Sequence, residues 1–357
     1  MIEQKIRVLI VDDSAFMRKS LSILLGSDPS FEIVGTARDG MEGVELVKKL
    51  KPDIVTLDIE MPRMDGLSAL KIIMKECPTP VIMVSSLTTE GAESTLKALE
   101  LGAIDFISKE MSFVSVNISK IKEELIHKVK TIARQQSLKR RLARLQTGTP
   151  STQVQSRTNI GIIPKFNCRA IALGISTGGP LSLQKVIPLL SERIRVPMFI
   201  VQHMPPKFTK SLAERLNSMS KLGVKEAEDG ELAEGGKIYI APGGFHLNLR
   251  SDSLGKNKII ITTQPDSTLH RPSVDIMMKS VLQVYGKSML GVIMTGMGKD
   301  GLEGIRDLKA LGGYAIAQDE ESCVVYGMPK AIVDAGVADM VVPLDKMAET
   351  INKIVAL

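Results

Sequence analysis

A strand pattern that ends in a sharp turn occupies residues 169–180, which read Arg169-Ala-Ile-Ala-Leu-Gly-Ile-Ser176-Thr-Gly-Gly-Pro180. The residues just before Ser176 are mostly small or branched apolar ones, as a strand covered on both faces requires. The two glycines at 178 and 179 allow a sharp turn. Pro180 fits the first position of a helix, where no N–H is needed. The stretch therefore predicts a strand, a turn and a helix in direct succession.

Ser176 is consequently predicted at the carboxyl end of a strand, facing the amino end of a helix. Open α/β sheets bind and transform their ligands at this edge. Residues 174–178 also match G-x-S-x-G, the nucleophile elbow, and the backbone N–H groups that follow could hold an oxyanion. An ordinary turn serine fits this short pattern equally well, so the stretch alone leaves both interpretations open.

The length of 357 residues predicts about two domains, and 44% hydrophobic with 24% charged residues is ordinary for a soluble globular protein. No apolar run is long enough to cross a bilayer and the amino terminus lacks a signal-peptide pattern, so we expect no membrane insertion. The scattered Cys77, Cys168 and Cys323 have neither metal-binding nor disulfide spacing, which favours a reducing cytoplasm. The net charge of +6 permits an acidic partner, but only 3% of residues are aromatic and no nucleic-acid-binding pattern occurs, so nucleic acid is not the expected partner.

Strand and helix patterns alternate over residues 6–108, which predicts a parallel, doubly wound α/β sheet. The predicted strands are the apolar runs Ile6–Val11, Phe31–Val34, Ile54–Leu57, Val81–Val84 and Ile104–Ile107. The predicted helices are the amphipathic stretches 15–25, 40–50, 66–76 and 90–101.

Charged and hydroxyl side chains lie at the ends of four of these strands: Asp12 and Asp13, Asp58, Ser85, and Lys109. Because parallel strands end at one edge of a sheet, we expect these side chains to converge. Three carboxylates offer the hard oxygen ligands that Mg²⁺ prefers. With the metal neutralising its charge, Asp58 could attack a phosphoryl group, while Lys109 and Ser85 bind the transferred oxygens. Helix capping would explain one such residue, but not four strand ends in this order.

Residues 6–109 resemble the receiver domain of response regulators in two-component signalling. The resemblance rests on Val-Asp12-Asp13-Ser, Leu-Asp58-Ile-Glu-Met-Pro62-Arg-Met-Asp-Gly66, Val-Ser85-Ser86 and Phe106-Ile-Ser-Lys109. It implies a flavodoxin-like doubly wound sheet and phosphorylation of Asp58 by a histidine kinase. It also implies a Mg²⁺ site formed by Asp12, Asp13, Asp58 and the Glu60 carbonyl.

The same resemblance makes Ser85, Phe106 and Lys109 the residues that respond to phosphorylation, with Phe106 as the mobile aromatic switch. The family usually has proline after this lysine, often in a cis bond, whereas Glu110 follows Lys109 here. A cis bond without proline costs about 2.5–4 kcal/mol, so we expect a trans bond in this loop.

A helical stretch and then a linker separate the two halves of the chain. Apolar residues at helical spacing run over 113–146 and end in the basic piece Leu138-Lys-Arg-Arg-Leu-Ala-Arg-Leu. Residues 147–167 are rich in Thr, Ser, Gln, Gly and Pro and contain no acidic residue, which is typical of an interdomain linker. We therefore predict a receiver domain over 1–130, an interdomain helix and linker over 131–167, and a second doubly wound α/β domain over 168–357.

The alternation of strands and helices resumes in this second domain. The predicted strands are 169–175, 196–202, 237–241, 258–263, 289–295 and 313–317. The predicted helices are 181–190, 207–219, 274–285, 302–311, 328–335 and 345–355. Polar residues again follow strands, at Ser176, at His203 and, after a short glycine-containing loop, at Asp300.

Gly296-Met-Gly298-Lys-Asp-Gly301 fits G-x-G-x-x-G between a strand and a helix, and Asp319 follows the next strand. This pattern is typical of dinucleotide-binding sites, so a nucleotide-dependent dehydrogenase is one hypothesis. Three features count against it. The motif lies late in the chain, Asp300 within the loop would repel a pyrophosphate, and Ser176 and His203 would have no role.

The competing hypothesis makes Ser176 a nucleophile, His203 its general base and Asp300 the carboxylate that orients the base. A neutral imidazole takes the serine proton and returns it to the leaving group, while the buried carboxylate fixes the imidazole tautomer. Of the four histidines, only His203 directly follows a hydrophobic strand. The order Ser…His…Asp differs from the α/β-hydrolase order, so the elbow motif does not imply that fold.

Residues 168–357 resemble the catalytic domain of the chemotaxis protein-glutamate methylesterases (the CheB family). The resemblance rests on Gly174-Ile-Ser-Thr-Gly-Gly179, Gln202-His-Met-Pro205, Ala241-Pro-Gly-Gly244 with His246-Leu, Arg271-Pro-Ser-Val-Asp275, and Met294-Thr-Gly-Met-Gly-Lys-Asp-Gly301. It implies a catalytic triad of Ser176, His203 and Asp300, with Met297 and Thr177 as oxyanion and supporting groups.

Both resemblances together imply a phosphorylation-activated serine hydrolase of chemotaxis adaptation, with methyl-accepting chemoreceptors as substrate. It would hydrolyse glutamate methyl esters, releasing methanol, and deamidate specific glutamines. Hydrolysis needs no metal, so Mg²⁺ belongs to the receiver, while His246 and His270 are expected in structural or substrate-facing roles. We expect the unphosphorylated receiver to inhibit the esterase. In the alternative, a pure binding module, the second domain is inert, and methanol release distinguishes the two.

Overall fold

The computed structural model describes residues 5–109, 122–123, 125–135 and 167–355. The chain divides into two compact units, Met1–Val154 and Gln155–Leu357. The predictions for the loop after Lys109, for the basic segment and for nearly all of the linker lie outside the described residues. Within those ranges, the structure has no helix long and apolar enough to cross a membrane.

The first unit contains a five-stranded parallel sheet with the strand order β2-β1-β3-β4-β5. Its strands are β1 (Ile6–Val11), β2 (Phe31–Ala37), β3 (Ile54–Asp58), β4 (Val81–Ser85) and β5 (Asp105–Ser108). Its helices are α1 (Ala15–Gly26), α2 (Gly40–Leu50), α3 (Gly66–Glu76) and α4 (Thr89–Glu100), and helical residues 125–135 form α5. All five predicted strands are present, because their apolar runs are long enough to be covered by helices; β3 and β4 are buried at every position.

Side chains at the start of the helices fix where the strand-to-helix turns end. Each accepts a hydrogen bond from a backbone N–H of the first helical turn, and the four caps are Ser14, Asp39, Asp65 and Thr88. Such a cap contributes about 1 kcal/mol to stability. Short polar residues therefore define these boundaries, and the predicted helices begin within one residue of the observed ones.

The second unit contains a seven-stranded parallel sheet with the order β14-β13-β12-β6-β7-β9-β8. The strands of the unit are β6 (Ala170–Ile175), β7 (Met198–Gln202), β8 (Gly223–Glu226), β9 (Lys237–Ile240), β10 (His246–Ser251), β11 (Asn257–Thr262), β12 (Met289–Ile293), β13 (Tyr314–Gln318) and β14 (Met340–Val342). The helices are α6 (Gly179–Val186), α7 (Phe208–Met219), α8 (Val274–Tyr285), α9 (Leu302–Ala310), α10 (Met328–Asp334) and α11 (Leu344–Val355).

The structure departs from the sequence prediction at the edges of this unit. The predicted strand 258–263 corresponds to β11, which pairs antiparallel with β10 in a separate two-stranded sheet and does not join the parallel one. Strands β8, β10 and β14 were not predicted. β8 and β14 are only four and three residues long, and β10 ends in the exposed pair Arg250 and Ser251, so none of them forms an apolar run long enough to predict a strand.

The chain reverses its direction of travel across the sheet between β6 and β12. From β6 the chain adds β7 and the strands beyond it on one side, and with β12 it returns to the other side of β6. A crevice at the carboxyl ends of two such strands is the usual ligand site of an open α/β sheet. Helix α8 lies close to this point, because Gly174 of β6 has no side chain where a Cβ would collide with Val274.

Candidate functional site

Ser176 directly follows β6 at this switch point. Its backbone N–H donates to the Thr295 carbonyl at 2.9 Å, which ties it to the segment after β12. Gly178 turns the chain at a φ of +76°, and α6 begins at Gly179 with Pro180 in its first turn. The strand, turn and helix expected around this serine are therefore present.

His203 and Asp300 meet beside the same strand end. The His203 backbone N–H donates to the Ile175 carbonyl at 3.2 Å, so this histidine stands next to the end of β6. Its Nε2 lies 2.8 Å from Asp300 Oδ2. The side chains of both residues are about one-tenth exposed, at 9% and 12%, so their electrostatic interaction is only weakly screened by water.

The Asp300 carboxylate accepts three further hydrogen bonds from the start of α8. The N–H of Val274 donates to Oδ2 at 2.7 Å, and the N–H of Asp275 and the Ser273 hydroxyl each donate to Oδ1 at 3.0 Å. Burial alone would raise the pKa of Asp300, but the His203 contact and these N–H groups outweigh burial and lower it below its usual range. Asp300 is therefore an ionised acceptor at neutral pH.

An ionised Asp300 determines which nitrogen of His203 carries the proton. A carboxylate only accepts, so Nε2 of a neutral His203 must be the N–H donor and Nδ1 the lone-pair acceptor. Nδ1 is buried and has no hydrogen-bond partner among the described residues. One face of the ring stacks on His270, with centroids 4.3 Å apart and planes 23° from parallel. His203 is thus held in the tautomer of a general base whose accepting atom is Nδ1.

Asp275 forms a second acidic group behind Asp300. Its Oδ1 accepts the N–H of Gly304 in the first turn of α9 at 2.8 Å, while Asp300, just before α9, accepts N–H groups at the start of α8. The two carboxyl groups thereby cap each other's helices. Burial, with the neighbouring Asp300 charge adding to it, raises the pKa of Asp275 to about 6, although the Gly304 bond opposes the rise.

Three buried polar residues that sequence reasoning missed support these side chains. Gln202, which ends β7, donates from Nε2 to the carbonyls of Ser176 at 3.0 Å and His203 at 3.3 Å. The Thr295 hydroxyl donates to the Thr177 carbonyl at 2.9 Å, and the Thr295 N–H donates to Gln318 Oε1 at 2.9 Å. All three follow or end a strand at the same sheet edge, so their position is the one signal for them in the sequence, and the chemistry of glutamine and threonine adds none.

The two predicted oxyanion positions lie close to Ser176. Thr177 follows it directly, and Met297 follows Gly296, whose missing side chain leaves room for the Ser176 Cβ. Within the described part of the chain, the N–H groups of Thr177 and Met297 donate no hydrogen bond. Two uncommitted backbone donors next to a strand-end serine can hold an anionic oxygen.

The G-x-G-x-x-G segment does not have the surroundings of a dinucleotide site. It follows β12, whereas the fingerprint of such folds follows the first strand of the sheet, here β6. Asp319, the candidate ribose ligand, accepts hydrogen bonds from the N–H and hydroxyl of Ser322. Asp300 is occupied by His203 and α8, so neither acid of the motif is available to a nucleotide.

His246 is a structural residue in this arrangement. It is fully buried, its Nδ1 accepts the N–H of Ser273 at 3.2 Å, and its Nε2 lies 3.2 Å from the Thr268 hydroxyl. Burial lowers the pKa of His246, which keeps the imidazole neutral. It connects the segment that carries His270 to the start of α8.

The first unit brings its predicted acidic residues together at the carboxyl ends of β1 and β3. Carboxylate oxygens of Asp12, Asp13 and Asp58 lie within 4.8 Å of one another. Lys109 Nζ bonds Asp58 Oδ2 at 2.8 Å. Burial raises the pKa of Asp58 to about 6; the Lys109 hydrogen bond opposes the rise and the charge of Asp12 adds to it.

These residues fit a magnesium ion. Asp12 Oδ2 is buried and has no hydrogen-bond partner among the described residues, so the fold leaves one carboxylate oxygen for a ligand. Burial raises the pKa of Asp12 and the charge of Asp13 adds to the rise, so a cation at this cluster would favour the ionised carboxylate. Glu60 lies beside the cluster, with its N–H 3.4 Å from Asp58 Oδ1. Three carboxylates whose oxygens lie within 4.8 Å of one another are hard donors of the kind that Mg²⁺ prefers.

The predicted switch residues lie on β4 and β5. The Ser85 hydroxyl donates to the Gly91 carbonyl at 3.2 Å, toward α4. Phe106 is buried, and Lys128 of α5 contacts it twice, with Nζ 3.0 Å from its carbonyl oxygen and 5.8 Å from the ring centroid. Lys128 also pairs with Asp105 at 3.0 Å, so one lysine joins α5 to the strand that carries the aromatic residue.

The two units thus define a class of protein: a five-stranded α/β domain of receiver type with an acidic cluster at its sheet edge, followed by an α/β domain with a serine, a histidine and an aspartate at its switch point. Residues 8–117 match the response regulator receiver domain model, and residues 171–351 match the CheB methylesterase model. The chain belongs to the CheB methylesterase family.

Curated relatives match along the whole chain. The protein-glutamate methylesterase/protein-glutamine glutaminase of Pyrococcus abyssi is 49% identical over 356 residues, covering 99% of this chain and 94% of the relative. The protein of the same description from Thermotoga maritima is 44% identical over 359 residues, covering 99% and 100%. The crystal structure of the Thermotoga maritima CheB methylesterase catalytic domain is 45% identical, with a TM-score of 0.51, and covers 52% of this chain and 98% of that one.

Proposed function

We propose that this chain hydrolyses methyl esters of glutamate side chains on chemoreceptors, and deamidates particular receptor glutamines, with Ser176, His203 and Asp300 as its catalytic residues. The observation that carries the assignment is the 2.8 Å contact between His203 Nε2 and an ionised Asp300, which leaves Nδ1 as a buried acceptor on a residue whose backbone bonds the Ile175 carbonyl, one position before Ser176. Full-length relatives named for both activities set the substrate class.

Acylation begins with Ser176. Its hydroxyl proton moves to Nδ1 of His203 while its oxygen forms a bond to the ester carbonyl carbon. The carbonyl oxygen gains the negative charge, and the N–H groups of Thr177 and Met297 hold it. Asp300 stabilises the imidazolium through Nε2 and keeps its own charge.

Collapse of this intermediate breaks the bond to the methoxy oxygen, which takes the proton from His203 Nδ1 and leaves as methanol. Water then attacks the carbonyl carbon of the acyl-enzyme and gives a proton to the same nitrogen. That proton passes to the Ser176 oxygen as its bond to the acyl carbon breaks, and the glutamic acid side chain leaves and ionises to the carboxylate. A glutamine follows the same path with ammonia as the leaving group. No step needs a metal, because the imidazole and the backbone N–H groups handle proton and charge.

The receiver supplies regulation. Asp58 is the proposed phosphoacceptor for a histidine kinase, with Asp12, Asp13 and the Glu60 carbonyl holding Mg²⁺, whose charge would offset the repulsion between Asp58 and an incoming phosphoryl group. Lys109, already paired with Asp58, and Ser85 would bind the phosphoryl oxygens. Phe106 would transmit the change, and its contacts with Lys128 lead directly to α5.

Methanol release from methylated receptor membranes tests the proposal. Wild-type protein should release methanol, and Ser176→Ala should lose nearly all of it, because removing a triad nucleophile costs several orders of magnitude in rate. Ser218→Ala, at an exposed turn of α7, is the matched control and should keep full activity. Equal release by wild type and Ser176→Ala would refute the serine mechanism. Receptor binding with no release by any protein would establish the binding-module alternative.

A further inference from the structure

We propose that Gln202 is a positioning residue: its side-chain amide fixes the peptide plane between Ser176 and Thr177, and with it the N–H that holds the oxyanion. The inference deepens the proposed function and rests on its assignment of Ser176 as nucleophile. Gln202 touches neither substrate nor reacting atoms in this scheme, so it acts through the backbone of residues that do.

The amide of Gln202 joins the nucleophile and the base. Its Nε2 donates to the carbonyl oxygens of Ser176 at 3.0 Å and of His203 at 3.3 Å, and the residue is only 2% exposed. Two carbonyl acceptors can be met only by the NH₂ end of the amide, so Oε1 faces the other way. There Oε1 is buried and has no hydrogen-bond partner among the described residues. The orientation of the amide is therefore set by its two NH₂ contacts.

The Ser176 carbonyl is held twice. Besides Gln202, the N–H of Gly179 donates to it at 2.8 Å, so both lone pairs of this oxygen are used. Because a trans peptide is planar, the Ser176 carbonyl and the Thr177 N–H lie on one rigid plane and point in opposite directions. The two bonds that fix the carbonyl therefore also fix the direction of the N–H. In a nucleophile elbow, the N–H after the serine is an oxyanion donor.

The turn after Ser176 is built to admit this amide. A Cβ on Gly179 would overlap Gln202 Oε1. The φ of Gly179 is not positive, unlike that of Gly178, so space rather than backbone conformation requires glycine there. The second glycine of the Gly-Gly turn thus makes room for Gln202, while the first makes the turn itself.

Three variants of the full-length chain separate positioning from general support. Gln202→Met keeps the length of the side chain and removes both donors. Gln202→Glu keeps the shape and can donate one O–H, but only while its buried carboxyl is protonated. Gln184→Met, on α6, removes an amide whose Nε2 is buried without a partner in the described part of the chain, and is the matched control.

Two readouts apply to each variant: methanol release from methylated receptor membranes, resolved into kcat and KM, and the rate at which a small fluorophosphonate modifies Ser176, followed by intact mass. For Gln202→Met we expect kcat and the modification rate to fall about tenfold to a hundredfold, with KM changed less than threefold. Loss of one oxyanion donor lowers kcat by about 10²–10³, and a misaligned donor should lower it by no more than that. Gln184→Met should match the wild type. For Gln202→Glu, the ratio of its rates to those of the wild type should rise as pH falls.

The inference would be overturned if Gln202→Met had a lower melting temperature but a kcat per folded molecule within twofold of the wild type. Gln202 would then be a structural residue. If Gln202→Met does not fold, Gln202→Glu decides: a rate ratio that is independent of pH, or near one throughout, refutes positioning. The fluorophosphonate readout separates this inference from the proposed function. A wild type that is modified at Ser176 but releases no methanol contradicts the substrate, while the variants still report on the elbow.

Discussion

Replacing Asp300 by asparagine keeps the size of the side chain and removes its charge. The carboxylate accepts four hydrogen bonds, two at each oxygen, and donates none. Asparagine has one NH₂ group, which must take one of the two oxygen positions and meet a backbone donor there: Val274 N–H at Oδ2 or Asp275 N–H at Oδ1. In either orientation the asparagine NH₂ group faces a backbone N–H in a buried site, and neither group can accept a hydrogen bond from the other.

The favoured orientation decides the chemistry. With NH₂ in place of Oδ2, His203 must accept at Nε2 and carry its proton on Nδ1, the nitrogen that should take the Ser176 proton. With NH₂ in place of Oδ1, the tautomer survives but the imidazolium loses its counter-charge. In the serine protease for which this replacement is the standard example, kcat falls about 10⁴-fold, which is about 5 kcal/mol of transition-state stabilisation. We expect a comparable loss here with little change in KM.

The assay is single-turnover methanol release from methylated receptor membranes at pH 7.5, with thermal unfolding to measure the folded fraction. Asp300→Asn should also be less stable at neutral pH. The pKa of the native carboxyl is lowered, so its stabilising contribution is present above the unfolded value of about 3.9 and is lost as pH falls through the lower folded value. Asp319→Asn is the control, because the dehydrogenase hypothesis gives that residue the essential role. Activity of Asp300→Asn within tenfold of the wild type, together with stabilisation of the wild type by NAD, would refute the assignment.

Three further outcomes concern Asp275, Asp58 and the receiver as a whole. Burial raises the pKa of Asp275 to about 6, so its carboxyl favours the folded state below the unfolded value of about 3.9, and that contribution is lost as pH rises through 6. Asp275→Asn can still accept the Gly304 N–H. Its effect on the free energy of unfolding, measured in urea, should be more stabilising at pH 8 than at pH 5 by about 1–2 kcal/mol. An equal effect at both pH values would contradict the raised pKa. In the receiver, a small phosphodonor with Mg²⁺ should stimulate methanol release by the wild type, and Asp58→Ala should show no stimulation. A fragment beginning near residue 150 should be faster than the resting full-length chain, and a fragment no faster than that chain would exclude inhibition by the receiver.

Polar residues at the ends of apolar runs predicted most of both sites from the sequence. The rule identified Asp12, Asp58 and Lys109 in the first unit and His203 in the second, because parallel strands end at one edge whatever the details of packing. Asp300 lies in a loop rather than at a strand end, and only the glycine motif drew attention to it. The sequence could not indicate that α8, some 25 residues earlier, would supply three of its four donors.

The misses have physical causes as well. Gln202, Thr295 and Gln318 obey the same strand-end rule, but glutamine and threonine suggest no chemistry of their own, so the sequence gives no reason to select them. The strands β8 and β14 are too short to form a recognisable run, and their places in the sheet depend on pairing with β9 and β13. The hairpin β10–β11 shows that an apolar run predicts a strand but not the sheet that the strand joins.

The position of Asp300 at the amino end of α8 gives its charge a second source of stabilisation besides His203. Aligned peptide dipoles place roughly half a positive charge at the start of a helix, and α8 directs that partial charge at the carboxylate through the N–H groups of Val274 and Asp275. An anion that also receives these N–H groups depends less on an imidazolium for its counter-charge. His203 can therefore cycle between neutral and protonated forms in every turnover without leaving an uncompensated charge in the interior. For the same reason, a protein that lacks this imidazole should still assemble the cleft around an intact carboxylate.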